Sequence, residues 1–111
     1  MKKEDRPWGN FKQFVKNKKC TVKIIEVKPK QQLSLQYHKK RKEMWYFLTD
    51  GYVQIGKKKR KVKKGEIVWI KRRRAHRLFA EKNKVEVLEI SFGKFSERDE
   101  IRIEDKYGRK G

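Results

Sequence analysis

The sequence predicts an all-β fold, a small sandwich or barrel, and three observations carry that expectation. Apolar residues recur mostly at period two rather than at 3.6. Turn signals punctuate the chain every ~8–12 residues, the rhythm of short antiparallel strands. No segment offers a convincing amphipathic helix, apart from a possible turn at Ser96-Glu97-Arg98-Asp99.

Cys20–Val27 (Cys-Thr-Val-Lys-Ile-Ile-Glu-Val) is a β-branched run ended by Lys28-Pro29. Residues 33–38 follow, then 44–48, a nearly continuous apolar stretch of the kind found in a buried strand. Asp50-Gly51 is a turn signal, residues 52–55 alternate, and 56–60 read as a hairpin tip. Residues 61–63 lead to a turn at Lys64-Gly65, and Ile67–Ile70, His76–Phe79 and 85–92 complete seven or eight strands. Met44, Trp45, Phe47 and Trp69 are expected in the core. The first and last few residues are expected to fray.

A chain of 111 residues has room for one domain, spanning 1–111, with a modest core. Hydrophobic residues are 35% and charged residues 43%, which is lean, but 13 aromatics spread along the chain keep it out of the disordered class. No apolar run nears the ~20 residues needed to span a bilayer, so no membrane partner is expected. The charged start, Met1-Lys2-Lys3-Glu4-Asp5-Arg6, has no apolar stretch behind it and is not a signal peptide. The single cysteine, Cys20, rules out an internal disulfide and reads as a small strand residue in a reducing interior. A cytoplasmic location is expected on these grounds. A net charge of +20 attracts polyanions and concentrates small phosphorylated substrates, although a lysine-biased composition gives the same excess without a binding role.

The chemistry concentrates at Gln36-Tyr37-His38-Lys39-Lys40-Arg41-Lys42-Glu43. In a strand, residues 36, 38 and 40 share one face, while Leu33, Leu35 and Tyr37 take the other. Glu43 follows a possible bend and can turn back toward the same cavity. His76, the only other histidine, arrives from a later strand behind Lys71-Arg72-Arg73-Arg74-Ala75.

Here the sequence resembles the cupins, whose fold is a jelly-roll-like double-stranded β-helix. Their first motif runs Gly, five residues, His-x-His, three or four residues, Glu, six residues, Gly. Gln36 and His38 fall on the His-x-His slots and Glu43 on the Glu slot, while Lys30 and Asp50 stand at the glycine slots. Gly65 and His76 fit the second motif, in which Lys71, Arg73 and Ala80 replace its Pro, Gly and Asn. A closer resemblance is to the type II phosphomannose isomerase cupin, often the C-terminal domain of mannose-1-phosphate guanylyltransferase. Arg6-Pro7-Trp8-Gly9 looks like its opening signature, and Leu33-Ser34-Leu35-Gln36 with His38, Arg41, Glu43 and Trp45 looks like its central one. His76-Arg77-Leu78 and Glu104-Asp105-x-Tyr107-Gly108-Arg109 look like its later ones, so the resemblance covers 6–109. The family typically has His at the positions of Lys39, Lys40 and Met44, and this chain does not.

The resemblance implies a metal-dependent isomerase interconverting mannose 6-phosphate and fructose 6-phosphate. Gln36, His38, Glu43 and His76 are then the expected ligands of a divalent ion, with Zn²⁺, Mn²⁺ and Fe²⁺ all suited to such a set. Gln36 is preferred over Lys40 because cupin spacing selects it and type I phosphomannose isomerases use a Gln-x-His pair. Lys40 and Glu43 are the candidate catalytic residues, Lys40 as a proton shuttle should its pKa be depressed, although a lysine beside a dication is electrostatically awkward and is expected rather to turn outward or meet a substrate phosphate. Arg41 and Arg77, adjacent to ligands, are the candidate phosphate-binding residues. One alternative is a non-catalytic cupin binding a sugar phosphate or nucleotide sugar. Another is a nucleic-acid binder acting nonspecifically through the 57–64 and 71–74 basic runs, since no reading motif for DNA or RNA is present. The chain has no glycine-rich nucleotide-binding segment, so guanylyltransfer is not expected of it alone. A homodimer is expected by analogy with small cupins.

Overall fold

The computed structural model describes residues 1–94 and 96–105, apart from the side chain of Glu97. Tyr107, Gly108 and Arg109, part of the last signature noted above, lie outside the described residues.

The fold is all-β, with eleven strands and one short 3₁₀ turn, Glu97–Asp99, among the described residues. Two strands, β1 (Lys2–Arg6) and β2 (Gly9–Gln13), pair only with each other, as a hairpin turning at Pro7-Trp8. The rest are β3 (Cys20–Val27), β4 (Leu35–Tyr37), β5 (Arg41–Phe47), β6 (Gly51–Ile55), β7 (Lys58–Val62), β8 (Ile67–Ile70), β9 (His76–Phe79), β10 (Val85–Gly93) and β11 (Ile101–Glu104). They form a four-stranded sheet, β3-β10-β5-β8, and a five-stranded sheet, β11-β4-β9-β6-β7, with every pair antiparallel.

Alternation along each strand decides what faces inward. On β5 the inward set is Arg41, Glu43, Trp45 and Phe47, and on β10 it is Val85, Val87, Glu89 and Ser91, all buried. One buried cluster takes Val27, Trp45, Phe47, Val53, Val62, Val68, Ile70, Leu78, Ala80, Val85 and Val87 from both sheets. Trp69, expected in the core, is instead 52% exposed. Its neighbours Val68 and Ile70 take the inward positions of β8, so period two sends Trp69 out.

The strand expected over 33–38 is shorter, β4 ending at Tyr37, and a bend at Lys39-Lys40 separates it from β5. That bend is clamped from outside. The Asp99 carboxylate accepts from the backbone N–H of Lys39 at 3.0 Å and of Lys40 at 2.9 Å. Beneath it, Gly93 has φ +106 and would place a Cβ 2.6 Å from the Lys40 carbonyl oxygen, so no larger residue fits there without displacing the bend.

Candidate functional site

Three strands bring three ligand-type side chains together: His38 just beyond β4, Glu43 on β5 and His76 on β9. All three are buried, and their ligand atoms lie within 4.8 Å of one another. Nε2 of His38 is 3.2 Å and Nε2 of His76 is 3.1 Å from the same oxygen, Glu43 Oε1. The other nitrogen of each ring is fixed. His38 Nδ1 donates to the Asp99 carbonyl at 2.9 Å and His76 Nδ1 to the Arg74 carbonyl at 2.7 Å. A carbonyl oxygen only accepts, so both Nδ1 atoms carry hydrogen and each ring turns its Nε2 toward the carboxylate.

That arrangement calls for positive charge. Burial lowers the pKa of His38, but the hydrogen bond and charge of Glu43 outweigh it and hold the imidazole above its ordinary value. Burial raises the Glu43 carboxyl, yet the two histidines together hold it far below the usual carboxylate range. Arg41 contributes as well, its Nε 3.5 Å from Glu43 Oε2 and its Nη2 donating to His38 Nε2 at 3.3 Å. Two imidazoles and a carboxylate with converging lone pairs are a donor set that fits a divalent cation.

His38 and His76, but not Glu43, line a cavity of about 240 Å³, together with Lys23, Gln36, Arg41, Trp45, Glu89, Glu100 and Arg102. Gln36 is buried and stands directly across from His76 in the sheet. A carboxylate only accepts, so the amide is assigned with its nitrogen toward Glu100, 2.6 Å from Oε1, and its oxygen is then the atom it can offer a cation. Lys40 is exposed and does not line this cavity, because β4 ends before it and the alternation expected through residue 40 is broken by the bend. Arg77 is buried but does not line the cavity either. It follows His76 on β9, faces the other side of the sheet, and is held by the Glu104 side chain and carbonyl, each at 3.1 Å. The basic residues of 57–64 and 71–74 are exposed, and none lines the cavity.

Two contributors were missed in the sequence. Glu89, on β10, accepts from Trp45 Nε1 at 2.9 Å, and Lys23 Nζ lies 3.7 Å away, while the nearby Ser91 hydroxyl donates to Glu43 Oε2 at 3.1 Å. Burial, reinforced by the charge of Glu43, pushes its carboxyl up to about 7. Asp99 positions His38 through its carbonyl and the adjoining bend through its carboxylate. For Glu89 the signal was present: alternation sets it on the face of Val85 and Val87, where a carboxylate needs a reason to be. For Asp99 no sequence signal existed, since its partners lie about sixty residues away.

Comparison with known proteins agrees with the fold and with its type. The family profile described as mannose-6-phosphate isomerase C-terminal matches residues 1–105. The chain is 32% identical over 107 residues to mannose-1-phosphate guanylyltransferase ManC of Salmonella typhimurium, and 35% identical over 109 residues to alginate biosynthesis protein AlgA of Pseudomonas aeruginosa. Each alignment covers 94% of this chain but 22% of the relative, so the chain spans about a fifth of the length of these curated relatives. Among solved structures, the capsular polysaccharide assembling protein CapF of Staphylococcus aureus superposes with a TM-score of 0.70 at 16% identity, over 92% of this chain and 34% of that one. A cupin-2 domain from Rhodospirillum rubrum superposes with a TM-score of 0.64 at 19% identity, over 78% of this chain and 64% of that one. The all-β fold is therefore a cupin.

Proposed function

Because the chain belongs to the mannose-6-phosphate isomerase C-terminal family, we propose that residues 1–111 act as one isomerase domain interconverting mannose 6-phosphate and fructose 6-phosphate. The observation that carries this reading is the buried His38–Glu43–His76 cluster, whose two histidines line one cavity with Glu89. His38, Glu43 and His76, joined by the Gln36 oxygen, are the groups that would hold a divalent cation. When bound, such a cation supplies positive charge for a carbonyl oxygen and for the negative charge that develops there.

The chain's own groups supply the rest. Aldose–ketose isomerisation moves one proton between adjacent carbons and one between their oxygens, with no net oxidation. Glu89, ionised, takes the carbon-bound proton from C2 of the aldose and returns it at C1 of the enediol. Burial first, and then the nearby Glu43 charge, poise it for that task at neutral pH. Trp45 fixes the orientation of its carboxylate. Glu89 takes the shuttle role in place of Lys40, which is exposed away from the cavity. Lys23 and Arg102, both lining the cavity, hold the substrate phosphate in place of Arg77, which Glu104 engages on the other face. Arg41 keeps the Glu43 carboxylate aimed at the two imidazoles.

The test is turnover of mannose 6-phosphate by metal-stripped and metal-reconstituted protein, beside His76→Ala. Turnover should need the metal and vanish in the variant. Full activity of the stripped protein would sink the mechanism.

A second reading is favoured by one observation. The Arg41 guanidinium already lies against both Glu43 and His38, and so balances the carboxylate without any metal. A cupin charged in that way would bind a sugar phosphate or nucleotide sugar without converting it. Saturable substrate binding with no turnover under any divalent ion would select this reading.

A further inference from the structure

We propose that Glu100 is a positioning residue for the cation site: its carboxylate holds the Gln36 amide so that the oxygen, and not the nitrogen, faces the ion. The inference rests on the reading of Gln36, His38, Glu43 and His76 as the donor set, and it adds the group that makes the first of them a donor.

An amide is an ambiguous ligand. Its oxygen accepts and its nitrogen donates, the two ends have nearly the same shape, and half a turn about the last side-chain bond exchanges them. With the nitrogen foremost, Gln36 would set N–H groups against a cation and weaken the site instead of completing it. An imidazole faces a similar choice, which the partner of its other nitrogen settles. His38 and His76 have their Nδ1 atoms on backbone carbonyls and so offer Nε2. For Gln36 the choice falls to Glu100, whose Oε1 lies 2.6 Å and Oε2 3.3 Å from the amide nitrogen. A carboxylate brings no hydrogen, so only the nitrogen can face it.

The start of β11 puts Glu100 in place. Arg102 stands directly across from Gln36 in the sheet, and Glu100, two residues earlier, lines the same cavity. Arg102 Nη2 is 2.6 Å from Glu100 Oε2, and the Glu100 side chain is only 17% exposed. The guanidinium thus anchors the carboxylate on one side while the amide takes it on the other. Asp99, the preceding residue, receives His38 on its carbonyl. Two adjacent residues therefore orient side chains 36 and 38, which sit two apart on the neighbouring segment.

Glu100 acts through Gln36 and is not a ligand itself. Among the described residues, the ligand atoms that converge are those of His38, Glu43 and His76, without Glu100. A hydrogen bond from the amide to a carboxylate also polarises the amide and leaves its oxygen more negative. The groups behind metal ligands are known to act in this way.

Zn²⁺ titrated calorimetrically into the chelator-stripped full chain tests the proposal, zinc being one of the ions such a donor set suits. Wild type is compared with Gln36→Ala, Glu100→Ala and the double variant. Gln36→Ala should raise the dissociation constant at least about tenfold, and Glu100→Ala about tenfold. The double variant decides the matter. It should bind Zn²⁺ as Gln36→Ala does, within about threefold, because Glu100 then has nothing to orient. A Glu100→Ala effect of equal size in both backgrounds would show that its charge or the fold is responsible, and overturns the proposal. So does an unchanged constant in Glu100→Ala beside a weakened Gln36→Ala, an outcome that leaves the donor set standing. An unchanged constant in Gln36→Ala removes Gln36 from the donor set, and the proposal falls with it. Glu100→Ser, too short to reach the amide, serves the same cycle if Glu100→Ala fails to fold.

Discussion

The apolar end and the polar end of the interior are made by the same strands, read in opposite halves. Along β5 the inward side chains change from Arg41 and Glu43 to Trp45 and then Phe47, and along β10 from Ser91 and Glu89 to Val87 and Val85. On β9, His76 is followed two residues later by Leu78. Trp45 is the seam: its ring belongs to the core, it lies edge-on to His76 at 5.4 Å, and its N–H is given to Glu89. One end is stabilised by removing hydrocarbon from water. The other buries charges whose desolvation their mutual attraction at best offsets. Stability should therefore live at one end and activity at the other, and substitutions can break that division or sharpen it.

The largest effect should come from the apolar end. Phe47→Ala leaves a cavity among Val53, Val85 and their neighbours and should cost about 3–5 kcal/mol in urea unfolding. While the variant stays folded, its KM and pH profile should match wild type. A changed pH profile would show that the two ends are coupled.

Glu89→Gln is the converse experiment. The amide keeps the shape and can still accept from Trp45, so the unfolding midpoint should hardly move, whereas kcat should fall about 10²–10⁴-fold with KM little changed. An unaltered kcat would remove Glu89 from proton transfer. Adding a divalent ion to stripped protein should raise Tm, in line with about 2.7 kcal/mol at a hundredfold excess over Kd. Scanning calorimetry should show that increment in Phe47→Ala and lose it in His76→Ala.

The sequence made the apolar end legible and the polar end only in part. Strands with β-branched alternation, such as Cys20–Val27 and Ile67–Ile70, have in the structure the bounds read from their residues. The β1–β2 hairpin carries no such alternation, because neither of its faces is buried, and it passed for a fraying terminus. β11 does alternate, as Ile-Arg-Ile-Glu, but four residues near the chain end are too few to outweigh the expectation of fraying. Motif spacing finds His38, Glu43 and His76, which do converge. Lys40, for which strand alternation points inward and charge beside a cation points outward, stands exposed. The positions of Lys40 and His38 depend on Asp99, and a contact between segments so distant in sequence leaves no local mark.

Asp99 supplies the smallest and most selective test of the division, because it touches the site without lining its cavity. Burial raises its carboxyl, but the backbone N–H groups of Lys39 and Lys40, with help from His38 and Arg41, hold it below its ordinary 3.8. A carboxyl with a depressed folded value adds stability that is present above its ordinary value and is lost as pH falls through the folded one. Asp99→Asn keeps the carbonyl that receives His38 and halves the acceptor capacity offered to the bend, so about 1–2 kcal/mol should go. Urea midpoints of wild type and variant should then differ at pH 7 and converge as the pH drops below 4. In the same variant kcat should fall modestly, because His38 keeps its hydrogen bond but loses the rigid turn behind it. Equal pH dependence in the two proteins would mean that the bend holds its shape without the charge, and that the polar end is more self-supporting than the apolar one requires.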